Sequence, residues 1–282
     1  MSDRFEILCV TMHRENCKEL FLKMNIHSNV IFANQSDHYE KHVEFINGFR
    51  VVTITTDTRG NGLNRNIALL NAQAEICLLA DDDMEYNDNY EHNIINEFDL
   101  HPEADVIVFN IGTSTPEYGR IPTQIKKYKK MNTWSRNPYG APRIAFRLAS
   151  IRKANVYFSL LFGGGSPFSN GQDSIFLRSL QKQGLKVYLS PIFIGNVSYE
   201  GTTWYNADVE KKLYGKGAVI EATPSSSINK TINMFYTALI RRPKDYSVLN
   251  TMAWLKRGRI GFHKLISYEE LEGINNKKEI EQ

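Results

Sequence analysis

The stretch EICLLADDDM, Glu75 to Met84, decides how the chain folds. From Ile76 to Ala80 no polar side chain interrupts the run, the pattern of a central strand covered on both faces. Three carboxylates follow without a break: Asp81, Asp82 and Asp83. Adjacent like charges repel, so the triplet needs either open access to water, as in most acidic surface turns, or a divalent cation to balance it. The choice depends on where the strand delivers the carboxylates.

The flanking sequence places that strand in a mostly parallel sheet. FEILCVT (Phe5 to Thr11) reads as a buried strand, followed by a helix over Glu15 to Met24 with Leu20, Phe21 and Met24 inward. NVIFA (Asn29 to Ala33) and RVVTITT (Arg50 to Thr56) are rich in residues that favour strands. GNGLNRN (Gly60 to Asn66) opens a helix on which Leu63, Ile67, Leu70 and Ala74 recur at helical spacing. Strands alternating with helices predict an α/β fold, and in such sheets ligands bind at the carboxyl ends of the strands. The aspartates stand at that end of the strand.

Farther along, NDNYEHNIINEF predicts a helix with Ile94, Ile95 and Phe98 inward, and Ala104 to Ile111 a strand. Gly112 to Pro142 has no clean period and reads as loop. The glycine-rich FGGGSPFSN (Phe162 to Asn170) feeds a helix from about Asp173 to Gln183, with Ile175, Phe176, Leu177 and Leu180 apolar. KVYLSPIFIGNVSYE supplies one or two more strands. From Ala207 the pattern turns helical and basic, so the expected division is a catalytic domain over 1–206 and a helical extension over 207–282.

Composition excludes several classes. Of 282 residues, 42% are hydrophobic and 23% charged, with 14 Tyr and 15 Phe, which disfavours disorder, collagen-like repeats and coiled coils. No apolar stretch reaches the roughly 18 residues of a membrane-spanning helix. Charges at Arg4, Glu6, His13 and Arg14 break any signal-peptide core, so the expected location is the cytoplasm. Cys9, Cys17 and Cys77 form no CxxC pair and read as core residues. The net charge of +3 hides an uneven distribution: Lys126, Lys127, Lys129 and Lys130 cluster in mid-chain, and Arg241, Arg242, Lys244, Lys256, Arg257, Arg259 and Lys264 late. These accompany no nucleic-acid module. Interleaved with Trp254, Leu255 and Ile260, the late group suits an anionic membrane surface or a pyrophosphate-linked lipid, against the commoner solvated helix face.

The chemistry-bearing residues each have a plainer alternative. Clustered carboxylates favour Mg²⁺ or Mn²⁺, with substrate phosphates completing the shell, but acidic turns also arise by chance. Asn61 and Arg65 lie at a helix start suited to an anion. Arg65 can pair with a phosphate or hold one of the aspartates. Asp173 fits a general base fixed at a helix start, or a helix cap. Gly164 and Gly165 allow a ligand to approach backbone, or make a tight turn. Trp204 suits a sugar face, or core packing.

The order of strand, polar turn, strand, glycine-led RN helix, strand, DDD and a later NGQDSIFL helix resembles the GT-A glycosyltransferases of family 2, over Phe5 to Asp83 and Gly163 to Leu180. That resemblance implies a nucleotide-diphosphate sugar donor, a UDP-hexose of galactose or glucose. Asp81 and Asp83 would hold Mn²⁺ or Mg²⁺ and the diphosphate, and Asp82 the ribose or donor sugar. Thr11, Met12, His13, Asn34, Gln35 and Asp57 would line the nucleotide pocket with Asn61 and Arg65. NQSD (Asn34 to Asp37) departs from the family's usual DDGS turn, which leaves the base contact open. Asp173 would be the base of an inverting displacement, with Gln172 where Glu is frequent, and Gly164, Gly165, Gln172 and Trp204 near donor sugar and acceptor. The style resembles bacterial β1,3-hexosyltransferases of O-antigen or capsule assembly, which implies an acceptor on undecaprenyl diphosphate and peripheral contact with the inner membrane face. A nucleotidyltransferase of similar sheet architecture or a noncatalytic carbohydrate-binding module are the alternatives.

Overall fold

Apolar runs of the N-terminal half pair side by side in the computed structural model, which describes residues 4–118, 121–132, 138–200 and 208–273. Strands β1 (Phe5–Met12), β2 (Asn29–Gln35), β3 (Glu40–Ile46), β4 (Phe49–Thr56), β5 (Ile76–Asp81), β6 (Met84–Tyr86), β7 (Val106–Thr113), β8 (Lys129–Lys130), β9 (Ile144–Arg147) and β10 (Val187–Val197) form one sheet. Its order is β3-β4-β2-β1-β5-β9-β7-β10-β6, with β8 on β10. The run β4-β2-β1-β5 is parallel throughout, so Met12, Gln35, Thr56 and Asp81 end on one edge. From β1 the chain steps one way to β2 and β4, then crosses back to β5 on the other side. That reversal puts a topological switch point at the ends of β1 and β5.

Four strands escape the sequence reading: β3, β6, β8 and β9. EKHVEFI forms β3, antiparallel to β4, across an Asn47-Gly48 turn whose φ angles are both positive, 50° and 84°, as an Asn-Gly hairpin turn requires. Its exposed Glu40, Lys41 and His42 blunt a sheet edge and hide the period of a strand. IAFR forms β9, antiparallel between β5 and β7. The segment read as loop over 112–142 is partly pinned: the buried Arg143 donates to Phe109 O (2.7 Å), Thr123 O (3.0 Å) and Asn110 Oδ1 (3.2 Å). Asn110 in turn exchanges two bonds of 2.8 Å with the backbone of Ile125.

By its contacts the chain divides into two compact units: Met1–Arg59, Leu63–Phe158 and Phe176–Gly201 form one, and Gly60–Gly62, Ser159–Ile175 and Thr202–Gln282 the other. In the first unit the sheet is covered on both faces. Leu20, Phe21 and Met24, in and just after α1 (Lys18–Lys23), and Ile94 and Phe98 of α3 (Tyr90–Leu100) pack on Phe5, Ile7, Cys9 and Leu78. On the other face Ala68 and Leu69 of α2 (Asn61–Asn71), Leu148 and Ile151 of α4 (Leu148–Ala154) and Phe176, Leu177 and Leu180 of α5 (Gln172–Lys182) pack on Leu8, Ile31 and Leu79. All three cysteines are buried and free.

Helix α2 corrects the apolar spacing. Leu70 is 61% exposed, while Asn64, Arg65 and Asn66 are buried, because their hydrogen bonds turn the polar face inward. Asn64 Nδ2 donates to Ala33 O (2.6 Å) and Thr11 O (3.2 Å), and Asn66 Nδ2 to Phe158 O (2.9 Å). Buried donors with strand-end acceptors outweigh one exposed leucine.

The second unit holds α6 (Val209–Ala222), α7 (Ser227–Ile240) and α8 (Val248–Lys264), each started by a side-chain cap from Asp208, Ser226 or Ser247. Glu221 ties the three together, accepting from Lys230 Nζ (2.9 Å) and Arg259 Nε (2.6 Å) with His263 Nε2 at 3.4 Å. Burial works against its charge, but the Lys230 and Arg259 bonds win and lower its pKa. Trp254 and Leu255, grouped above with a membrane-facing surface, are instead buried in this bundle. The indole of Trp254 donates to Glu210 (3.1 Å) and Arg257 lies over its ring. No helix among the described residues is long and apolar enough to cross a membrane.

Candidate active site

At the switch point of the first unit, Thr11, Asn34 and Thr55 lie abreast on β1, β2 and β4, with Val10 opposite Asp81 on β5. Thr11 Oγ1 donates to Asp82 Oδ2 at 2.6 Å, a bond across the two diverging strands. Arg14 reaches the same pair, Nε to Thr11 Oγ1 (3.3 Å) and Nη2 to Asp82 Oδ2 (3.4 Å). The buried Asn34 holds Arg14 there: its Oδ1 accepts the Arg14 N–H (3.1 Å), and its Nδ2 donates to Arg14 O (2.8 Å) and Thr55 Oγ1 (3.1 Å). Asn34 thus shapes the loop after β1. His13, at φ 54°, donates its backbone N–H to Gln35 O (2.7 Å). Met12 is exposed and Gln35 buried, and Asp57, just past β4, holds the Tyr39 hydroxyl above its usual pKa.

The carboxylates form the turn from β5 into β6. Arg65 Nη2 donates to Asp81 Oδ1 at 2.7 Å, and its guanidinium lies 5.5 Å from the Phe158 ring. Of the two roles open to Arg65, this is the structural one, holding an aspartate. The Asp83 carbonyl accepts the Ser198 N–H (2.9 Å), a backbone bond that helps close the turn. Burial pushes the Cys9 thiol and the Tyr86 hydroxyl well above their usual pKa values, and Asp81 and Asp83 push both the same way, with Asp82 adding at Cys9. The triplet therefore casts a negative field into the protein beneath it. No group of three or more His, Cys, Asp or Glu among the described residues could hold a metal. Hard carboxylate oxygens in a pair still suit Mg²⁺ or Mn²⁺ when substrate phosphates supply the rest.

The second unit holds the remaining predicted residues. Asn61 donates its N–H to Gly164 O (2.9 Å), joining the start of α2 to the glycine-rich loop. Gly165 has φ 74°, and a Cβ there would lie 3.3 Å from Gly60 N. Gln172, only 4% exposed, spends its amide under this loop, Nε2 donating to Phe162 O (2.6 Å) and Ser159 O (3.2 Å). Asp173 follows in the first turn of α5, where a carboxylate suits the positive end of the helix dipole. Trp204 lies outside the described residues.

Sequence pattern assigns Arg14 no role in the site, and Asn64 and Gly62 only a place at the helix start suited to an anion. An added Cβ on Gly62 would strike Ser159 O and Gln172 Nε2 inside van der Waals distance. A backbone carbonyl cannot give way as a side-chain tip does, so Gly62→Ala is expected to lower stability by about 1–3 kcal/mol, read as a fall in urea midpoint at unchanged m-value.

Comparison with known proteins meets this geometry. Residues 26–157 match the glycosyl transferase family 2 model. The family 2 segment contains Arg65 and all three aspartates and ends before Asp173. No curated protein matches the chain in sequence. Among solved structures, S. aureus TarS residues 1–349 with UDP-GlcNAc aligns at TM-score 0.58 and 14% identity, covering 84% of this chain and 74% of that one. Its UDP complex gives 0.58 and 14%, covering 84% and 73%. A further TarS structure gives 0.57 and 15%, covering 88% of this chain but 44% of TarS. At such identity the likeness carries the fold, a mixed α/β sheet of GT-A type as the sequence led one to expect. The family 2 match adds support for a role in glycosyl transfer.

Proposed function

We propose that the chain transfers a hexose, galactose or glucose, from a UDP-sugar to a sugar hydroxyl with inversion at the anomeric carbon. One observation carries this: the acidic turn after β5 lies at the sheet's switch point, within the family 2 segment, with Asp82 bonded to Thr11 and Asp81 to Arg65. A negative turn at that edge suits a cation-bridged diphosphate better than a bare surface loop. TarS crystallised with UDP-GlcNAc and with UDP, which favours uridine as the donor nucleoside.

Asp81 and Asp83 would hold Mg²⁺ or Mn²⁺, which when bound neutralises charge on the departing diphosphate. Thr11 and Arg14 orient Asp82 toward the ribose or donor sugar. Asn34, Gln35, His13 and Met12 border the nucleotide, and the Asn61–Gly164 and Gly165 loop borders the sugars. Asp173 takes the proton from the acceptor hydroxyl as it attacks the anomeric carbon, the bond to the diphosphate breaks, and UDP leaves. The acceptor class is a saccharide on undecaprenyl diphosphate, as in O-antigen or capsule assembly, met at the inner face of the membrane.

The test is a panel of nucleotide sugars against a synthetic lipid-diphosphate GlcNAc or GalNAc acceptor, with and without Mn²⁺. Release of UDP with a new β-linked disaccharide, only with metal present, is the expected result. Pyrophosphate release from a sugar phosphate and a nucleoside triphosphate would replace transfer with nucleotidyl chemistry. Absence of nucleotide binding by calorimetry with Mn²⁺ would leave a noncatalytic module.

A further inference from the structure

Helix α7 presents an apolar face to solvent. Ile228, Ile232, Phe235 and Leu239 are spaced by four, three and four residues, one stripe of an α-helix, and are 72%, 59%, 54% and 56% exposed. The opposite side, Met234, Thr237 and Ala238, is buried, and packs through Met234 and Ala238 against Leu255 and Ile220. The helix therefore uses one face to join the bundle and leaves the more apolar one outward, contrary to the usual amphipathic arrangement. Such a stripe on a folded surface marks a contact.

The charges beside it select the partner. From Ala222 to Lys244 the chain carries Lys230, Arg241, Arg242 and Lys244 and no acidic residue, with one exposed carboxylate, Asp245, directly after it. Lys230 is taken by Glu221, whereas Arg241, Arg242 and Lys244, at and just beyond the end of α7, are exposed. Ile240 and Leu249, flanking these cations in sequence, are also exposed, at 66% and 80%. A second copy packing the same face would bring no carboxylate from α7 to these cations. An anionic headgroup layer would meet them while acyl chains took the four apolar side chains.

We propose that α7 is the surface by which this protein lies on an anionic phospholipid bilayer, its stripe in the interface and Arg241, Arg242 and Lys244 at the headgroups. This adds a named contact to the lipid-linked acceptor reading without resting on it, since bare vesicles test it with no turnover.

The experiment is co-sedimentation of the full chain with phosphatidylcholine vesicles, with and without phosphatidylglycerol. The wild type is expected to bind the anionic vesicles at least about tenfold better, with binding weakened by salt. Ile232→Glu with Phe235→Glu is expected to abolish binding. Arg241→Gln with Arg242→Gln is expected to weaken it about fivefold per arginine. These side chains are exposed, so circular dichroism melting should match the wild type. Equal binding to both vesicle types, or undiminished binding by the double glutamate variant, overturns the proposal. So does a concentration-dependent dimer, abolished by the glutamates, in a wild type that ignores vesicles, which would make the occupant a second copy. Transfer to a soluble acceptor in the same preparations fails or persists on its own account, which keeps the two proposals apart.

Discussion

Asp83→Ala is expected to lower metal-dependent sugar transfer by at least about a hundredfold, the scale at which one group stabilising developing charge is felt. Asp83 suits this test because a backbone bond of its turn survives the substitution: the carbonyl receives the Ser198 N–H, and alanine keeps that bond. Asp81 is a poorer choice. Removing its carboxylate takes away the charge that Arg65 Nη2 bonds, and Arg65 is buried, so a stability loss would accompany any catalytic one. For Asp83→Ala the melting temperature should stay within a few degrees of the wild type while Mn²⁺-dependent UDP binding weakens. Chelation of the wild-type enzyme should give the same loss, restored by adding Mn²⁺ or Mg²⁺. Near-normal turnover by Asp83→Ala, still requiring metal, would sink the assignment of this carboxylate.

What the sequence disclosed divides along physical lines. The strands FEILCVT, NVIFA, RVVTITT and ICLLA were legible because central parallel strands are apolar on both faces, and that alone put the DDD turn at the ligand edge. Helix α5 was legible for the same reason, its Ile175, Phe176, Leu177 and Leu180 all being buried as spaced. Hairpin strand β3 was not, since an edge strand carries charges that mask its alternation. Helix α2 misled in a more informative way. Its leucines suggested one face, but Asn64, Arg65 and Asn66 face inward to tie strand ends, Asp81 and Phe158 together. A helix that serves a site spends polar residues where a plain amphipathic helix spends apolar ones, and periodicity cannot report that. Trp254 and Leu255 erred in the opposite sense, being core residues amid cations, while the exposed stripe lay one helix earlier. Gln172 also gained a definite task, since its amide is occupied by Phe162 and Ser159 carbonyls.

That occupation of Gln172 bears on the second large effect, expected from Asp173→Asn. Its neighbour's amide is committed beneath the loop, so Asp173 is the carboxylate that the NGQDSIFL stretch offers for proton transfer. Asparagine keeps the size of the side chain and, like aspartate, serves at helix starts, so α5 should form and the melting temperature should barely move. What asparagine cannot do is accept the acceptor's proton. The expected result is a fall in kcat of about 10²- to 10⁴-fold, the usual contribution of a positioned general base, with UDP-sugar affinity unchanged by calorimetry. A role confined to helix capping predicts the reverse pattern: a lower melting temperature for Asp173→Ala, little change for Asp173→Asn, and kcat preserved in both. Since the two accounts separate on kcat in a variant that folds, single-turnover measurement on Asp173→Asn decides between them, and kcat within a few-fold of wild type would return Asp173 to the helix and leave the base elsewhere.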